Sequence, residues 1–165
     1  MEAYMAVVGG LRSTREELGL SRDVIGRVRV IEGTPGAAGA MKESRNAFRQ
    51  LCGCELTEVT GGEAPLEGRF ATVTGPGVKA LLDLEGLVDV ERERMRLVSK
   101  ARKAQAEVLK ARAKLANEGF VAKAPEAVVA EERSRLDAAE AVLAEVQLQH
   151  RERVGGELDL SEGTH

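Results

Sequence analysis

Asn117-Glu118-Gly119-Phe120-Val121-Ala122-Lys123-Ala124-Pro125 interrupts two strongly helical segments, and how it is read decides the fold. Gly119 is able to take the positive φ that ends a helix, and Pro125 has no amide hydrogen to lose and suits the first position of a returning helix. Each flanking segment has too narrow an apolar stripe to be stable alone. The stretch from residue 90 to 154 is therefore expected to fold back on itself as an antiparallel two-helix hairpin.

Both segments carry the same rhythm. In the first, Leu97, Ala101, Ala104, Val108, Ala111 and Leu115 recur at alternating intervals of four and three; in the second, Val129, Glu132, Leu136, Ala139, Leu143 and Val146 repeat it. That spacing places each set on one helical face. The many alanines favour helix and permit close approach. Phe120, one of three phenylalanines, is expected to close the end of the seam, where a thin tip has little else to bury.

A two-helix rod has almost no interior, so a compact core must come from the first ninety residues of the 165. Residues 3–18 read as a helix with Met5, Val8, Leu11 and Leu18 as its stripe, Arg12 and Arg15 beside it, and Gly9-Gly10 weakening its centre. Two glycines in mid-helix suit a helix packed against a larger body. Residues 24–32 have strand composition and end at Gly33-Thr34-Pro35-Gly36. A helix is expected over about residues 37–51, with Met41, Phe48 and Leu51 facing a sheet, followed by strands over 56–60, 70–74 and 78–84. The fold class expected is α+β: a small α/β layer, one helix covering one side of a sheet, followed by the long antiparallel coiled-coil hairpin.

Charge is unevenly distributed. The whole chain carries 24 Lys or Arg and 27 Asp or Glu, net −3, which does not advertise a nucleic-acid partner. Residues 89–117, however, hold nine basic and four acidic side chains, net +5, whereas residues 125–154 hold four basic and seven acidic, net −3. Attraction between the two helices accounts for part of this, and a basic stripe suited to a phosphate backbone for the rest.

No catalytic constellation is present. Cys52 and Cys54 lie one residue apart with no second pair, and His150 and His165 are remote from the compact part, so neither a metal site nor a Ser-His-Asp arrangement is expected. Ordinary thiols fit a reducing compartment. Gly33 to Gly36 and Gly75-Pro76-Gly77 lack the spacing of nucleotide-binding loops and read as turns. Asp83, Glu85 and Asp89 sit where a strand passes through Gly86 into a helix, with Asp89 placed to cap it. No apolar run is long enough to span a membrane and no secretory signal is evident, so a cytoplasmic location is expected. The residues alone rank an RNA-contacting or other noncatalytic interaction module first, a coiled-coil adaptor second and an enzyme third.

Two segments carry a resemblance. Leu84-Glu85-Gly86-Leu87-Val88-Asp89-Val90-Glu91-Arg92-Glu93 with Arg96-Leu97, and the run from Lys114 through Asn117, Phe120 and Pro125 to Glu132, closely resemble the C-terminal region of bacterial valyl-tRNA synthetases. Leu11 to Leu18 looks like the helix that closes the anticodon-binding bundle in that family. The resemblance implies four parts: residues 1–20 from the end of that bundle, 21–88 as a small α+β domain, 89–154 as a coiled-coil arm, and 155–165 as a flexible tail. It implies further that the arm holds the corner of tRNA, where the D and T loops meet, while other domains act on valine. Arg92, Arg96, Lys100, Arg102 and Lys103, then Lys110, Arg112, Lys114 and Lys123 toward the tip, are the candidate backbone contacts, with Phe120 or Val121 adding apolar contact to unstacked bases. Arg96, Lys114 and Lys123 fall within the matching motif; the others rest on charge. No H-I-G-H or K-M-S-K-S element is present, so no cofactor and no aminoacylation by this chain alone are expected. The expected partners are tRNA, tRNA-Val in particular, and the remaining domains of a synthetase, with the chain itself a monomer. A fragment, a free-standing RNA-binding descendant and a protein adaptor all remain open; Met1 and the glycine-containing acidic end at 155–165 are compatible with the free-standing reading.

Overall fold

The computed structural model describes residues 1–62 and 68–161. It divides into two compact units, residues 1–90 and 91–165. In the first, α1 (Glu2–Glu17) precedes β1 (Gly26–Glu32), α2 (Gly39–Glu43), α3 (Arg45–Cys52), β2 (Cys54–Gly61), β3 (Phe70–Gly75) and β4 (Val78–Asp83). The four strands form a mixed sheet in the order β2-β1-β4-β3. β1 and β2 run parallel, and the crossover this requires is made by α2 and α3. β4 is antiparallel to both β1 and β3, and Gly75-Pro76-Gly77 turns β3 into β4 as expected.

Alternation along the strands places Val28, Val30, Leu56, Ala71, Val73, Ala80 and Leu82 in one core with Val7, Leu11, Met41 and Phe48. The β1–β2 register slips once, between Val28 and Arg29, leaving Thr57 as the extra residue. Its hydroxyl donates to the Val28 carbonyl at 3.1 Å, so the bulge costs no polar partner there.

The α/β unit departs from expectation in four places. Its core is covered by α1 as well as by the 39–52 segment, rather than by one helix. Gly10 explains how α1 approaches so closely: a Cβ at this position would lie 2.2 Å from Val73 Cγ1 on β3. The helix expected over 37–51 is broken at Ser44, whose φ of −121° and ψ of 45° are not helical. Backbone pairing survives the break, because Ser44 N–H donates to Ala40 O at 3.1 Å and Ser44 O accepts from Phe48 N–H at 2.8 Å. Met5 and Leu51, assigned to the apolar faces, are 58% and 48% exposed. Tyr4 instead lies in the core, edge-on to Phe48 with ring centroids 6.1 Å apart.

The second unit consists of α4 (Val90–Ala116), α5 (Glu118–Lys123), α6 (Glu126–Arg153) and the segment after it. Of the twelve seam positions read from the sequence, Leu97, Ala101, Ala104, Val108, Ala111, Val129, Glu132, Ala139 and Val146 are buried, while Leu115, Leu136 and Leu143 are partly buried. Ion pairs join the start of α4 to the end of α6 (Glu93 with Arg153, 3.2 Å) and the end of α4 to the first half of α6 (Lys114 with Glu132, 3.1 Å).

The interruption is built differently from its expected form. Gly119 lies inside α5 without a positive φ. Asn117 ends α4 instead, and its Oδ1 accepts from Phe120 N–H at 3.2 Å as the N-cap of α5. Pro125 is the N-cap of α6, one position before the first helical residue. Residues 155–161, within the expected tail, turn at Gly155 and Gly156 and bring Leu158 and Leu160 onto Leu97, Ala101 and Val146. Among the described residues no helix is long and apolar enough to cross a membrane.

Candidate nucleic-acid interface

α4 is an unbroken helix of 27 residues, so its cations can be assigned to faces. With 3.6 residues per turn, positions 92, 96, 100, 103, 107, 110 and 114 fall within an arc of about 80°. Six of these are basic, Arg92, Arg96, Lys100, Lys103, Lys110 and Lys114, and Glu107 is the seventh. This flank borders the buried seam on one side. Arg102 and Arg112 lie outside the arc.

The candidates differ in what already engages them. Arg96 donates twice to buried Glu93, at 2.7 and 3.0 Å. Arg112 pairs with Glu140 at 2.7 Å, and Lys114 with buried Glu132 at 3.1 Å. These three hold α4 to itself or to α6. Lys100, Lys103 and Lys110 are exposed and make no ion pair among the described residues. Lys123 on α5 shares this condition, and Phe120 beside it is partly buried. Arg92 is exposed and Arg102 partly buried.

Alongside Lys100 and Lys103 runs a shallow groove between α4 and α6. Ala104, Ala138, Ala139 and Val142 supply its apolar surface, and Glu107 and Arg135 complete its lining. Arg135 was not among the residues singled out from sequence. It sits on α6, where it pairs with Glu131 at 2.9 Å and Glu132 at 3.3 Å. Only the direction of α6 brings it beside Lys100 and Lys103, so periodicity within either helix does not reveal it.

The other chemistry-bearing groups have structural settings. Asp83 Oδ1 accepts from Glu85 N–H at 3.0 Å, and Glu85 pairs with Arg69 at 3.3 Å. Asp89 immediately precedes α4. His150 is buried with Nδ1 3.2 Å from Gly156 O; His165 lies outside the described residues. Among the described residues no group of three or more His, Cys, Asp or Glu is placed to hold a metal. Glu91, hydrogen-bonded by Arg94, is held below the usual carboxylate range.

Cys52 and Cys54 are both buried and free. Hydrogen bonding from Cys52 lowers the Cys54 pKa to about 7 against the opposing cost of burial, with the Arg15 guanidinium helping; the Cys52 thiol is pushed upward.

Residues 89–152 match the family described as the valyl tRNA synthetase tRNA binding arm. Over 159 residues the chain is 33% identical to the valine–tRNA ligase of Nitratidesulfovibrio vulgaris, covering 94% of this chain and 18% of that protein. It is 30% identical over 136 residues to the ligase of Oceanobacillus iheyensis, covering 82% and 15%. Against the ligase of Xylella fastidiosa, identity rises to 47% over 66 residues, 40% of this chain and 7% of that one. The chain thus spans less than a fifth of the length of these relatives, and the family match falls on a tRNA-binding arm rather than a catalytic domain. These findings place the likeness within the aminoacyl-tRNA synthetases. Residues 89–152 match the tRNA-binding arm of the valyl-tRNA synthetases, and over most of its length the chain is similar to valine–tRNA ligases.

Proposed function

We propose that this chain is a noncatalytic module in which α4 and α6 form an antiparallel coiled-coil hairpin that holds the corner of a tRNA. The observation that carries this reading is the exposure of Lys100, Lys103 and Lys110, without ion pairs among the described residues, on the flank of a helix in the family of tRNA-binding arms. Lysines committed to joining the helices would lie against carboxylates; uncommitted ones on one flank attract phosphate. Of the candidate residues, this reading favours Lys100, Lys103, Lys110 and Lys123 as the contacts, with Phe120 offering an apolar surface near the tip.

By this reading the partner is tRNA-Val, the chain is a cytoplasmic monomer, and activation, transfer and editing belong to other synthetase domains. Residues 1–20 correspond to the end of an anticodon-binding bundle, 21–88 to the linking domain, 89–154 to the arm and 155–165 to its tail. Titration of the full chain with a fluorescent tRNA-Val transcript tests the assignment. The expected result is salt-sensitive binding that weakens when a minihelix lacking the D and T loops replaces the tRNA. Failure to bind any tRNA at tens of micromolar, on the order of 7 kcal/mol or less of binding energy, overturns it.

A further inference from the structure

We propose that the RNA backbone lies along one flank of the helical unit, the one bearing Lys100, Lys103 and Lys110 on α4, and that Arg96, Arg112 and Lys114 serve the fold instead. The inference deepens the tRNA-binding reading and rests on it. Its basis is a division among cations that composition treats alike. Arg96, Arg112 and Lys114 each have a carboxylate within 3.1 Å. Lys100, Lys103 and Lys110 have none among the described residues, and they share one arc of α4.

The groove beside Lys100 and Lys103 gives this flank more than charge. Ala104, Ala138 and Ala139 are too short to obstruct an approaching strand, and Val142 is 37% exposed at its margin. Lysine ammoniums on one wall are placed for phosphates, while the methyl-lined surface beside them suits a ribose or an unstacked base; Arg135 on the other wall is held by Glu131 and Glu132. Glu107 offsets part of the lysines' charge, leaving them in excess. Lys100 to Lys110 spans about 15 Å along the helix, enough for several successive contacts to one strand.

On the opposite flank, which Arg112 and Glu140 join, the partly buried Arg102 and the exposed Arg133 provide a control of equal charge. The test compares K100Q/K103Q with R102Q/R133Q in the full chain, titrating tRNA-Val across a salt series and following helix content by circular dichroism. Glutamine retains helix propensity. We expect K100Q/K103Q to weaken binding by about tenfold and to reduce the salt slope by about 1.5, since each lost phosphate contact removes about 0.7 to 0.9. R102Q/R133Q should change affinity less than about threefold. Lys110→Gln alone, whose side chain makes no ion pair, supplies an independent reading: a fall in slope of about 0.7 or more supports the flank, and an unchanged slope counts against it. Equal losses from the two double variants, or a larger loss from R102Q/R133Q, overturn the flank assignment and leave tRNA binding standing. Absence of binding by the unaltered chain removes both.

Discussion

Among the described residues each unit buries one arginine, and the two are engaged by different kinds of partner. Arg15 in the α/β unit is 7% exposed and donates to three backbone carbonyls: Gly53 at 2.9 Å, Ser21 at 2.9 Å and Val24 at 2.6 Å. Arg153 in the helical unit is 4% exposed and donates to the carboxylate of Glu93 at 3.2 Å, which Arg96 also binds. The contrast follows from backbone accounting. Loop and helix-end carbonyls keep a lone pair accessible to a side chain, as Gly53 and Ser21 do while each also accepts a backbone N–H at 3.1 Å, whereas carbonyls in the interior of a long helix are paired within it and turned along its axis. Buried charge among loops is met by backbone dipoles; between two helices it is met by opposite charge.

Breaking the carboxylate arrangement should cost most. Glu93→Ala removes the partner that Arg96 and Arg153 share and should destabilise the helical unit by about 3–5 kcal/mol, read from urea unfolding followed by circular dichroism. A loss below about 1 kcal/mol would show that the pair contributes no more than an exposed one. Arg15→Lys tests the other side. An ammonium keeps the charge but cannot reach three carbonyls in a planar fork, so a loss of about 2–3 kcal/mol is expected, again by urea unfolding. If lysine proves neutral, charge rather than fork geometry is what the α/β unit requires.

The smallest effect concerns the thiols next to Arg15. Gly53, between the cysteines, ends α3 with φ of +67°, and the Arg15 guanidinium carbon lies 3.2 Å from where its Cβ would be. Ultraviolet thiolate absorbance should titrate with a midpoint of about 7 for Cys54 in the folded chain, and Cys52→Ala, which removes the main stabilising hydrogen bond, should move it upward. The folded value lies below the ordinary 9.0, so the Cys54 thiolate contributes stability that is complete above 9.0 and is lost as pH falls through about 7. Cys52 is shifted the other way, and its contribution is lost as pH rises above 9.0. A midpoint that stays put in Cys52→Ala would assign the lowered value to Arg15.

What the sequence revealed follows the reach of the interactions concerned. Nine of the twelve seam positions on α4 and α6 were legible as buried, because a helical repeat is local and each buried position is marked by its own neighbours; Leu115, Leu136 and Leu143 are only partly buried. The four strands were legible from β-branched runs between glycine turns. The break at Ser44 was not: its hydrogen bonds continue across it, with neither proline nor glycine to announce it. Met5 and Leu51 were misassigned because a flanking position can lie on either side of a stripe until the partner surface is known. Arg15 looked like a surface cation, since its three carbonyls come from segments 6 to 38 residues away. At the candidate interface, charge identified α4 but did not separate exposed lysines from cations engaged by Glu132, Glu93 or Glu140, and it passed over Arg135 entirely.

The Asn117 cap and the separate turn of α5 make the length of the helical unit adjustable by evolution in whole heptads. Removing seven residues from α4 and seven from the facing part of α6 shortens each helix by about 10 Å and leaves the seam and the lysine flank facing almost as before. Removing four from each shortens the unit by about 6 Å but turns the face beyond the cut by about 40° and interrupts the seam, and a change in one helix alone puts the two out of step. The distance such a unit can measure and the side it presents are therefore separate variables in its gene, the first written in repeats and the second in the residues beside the seam.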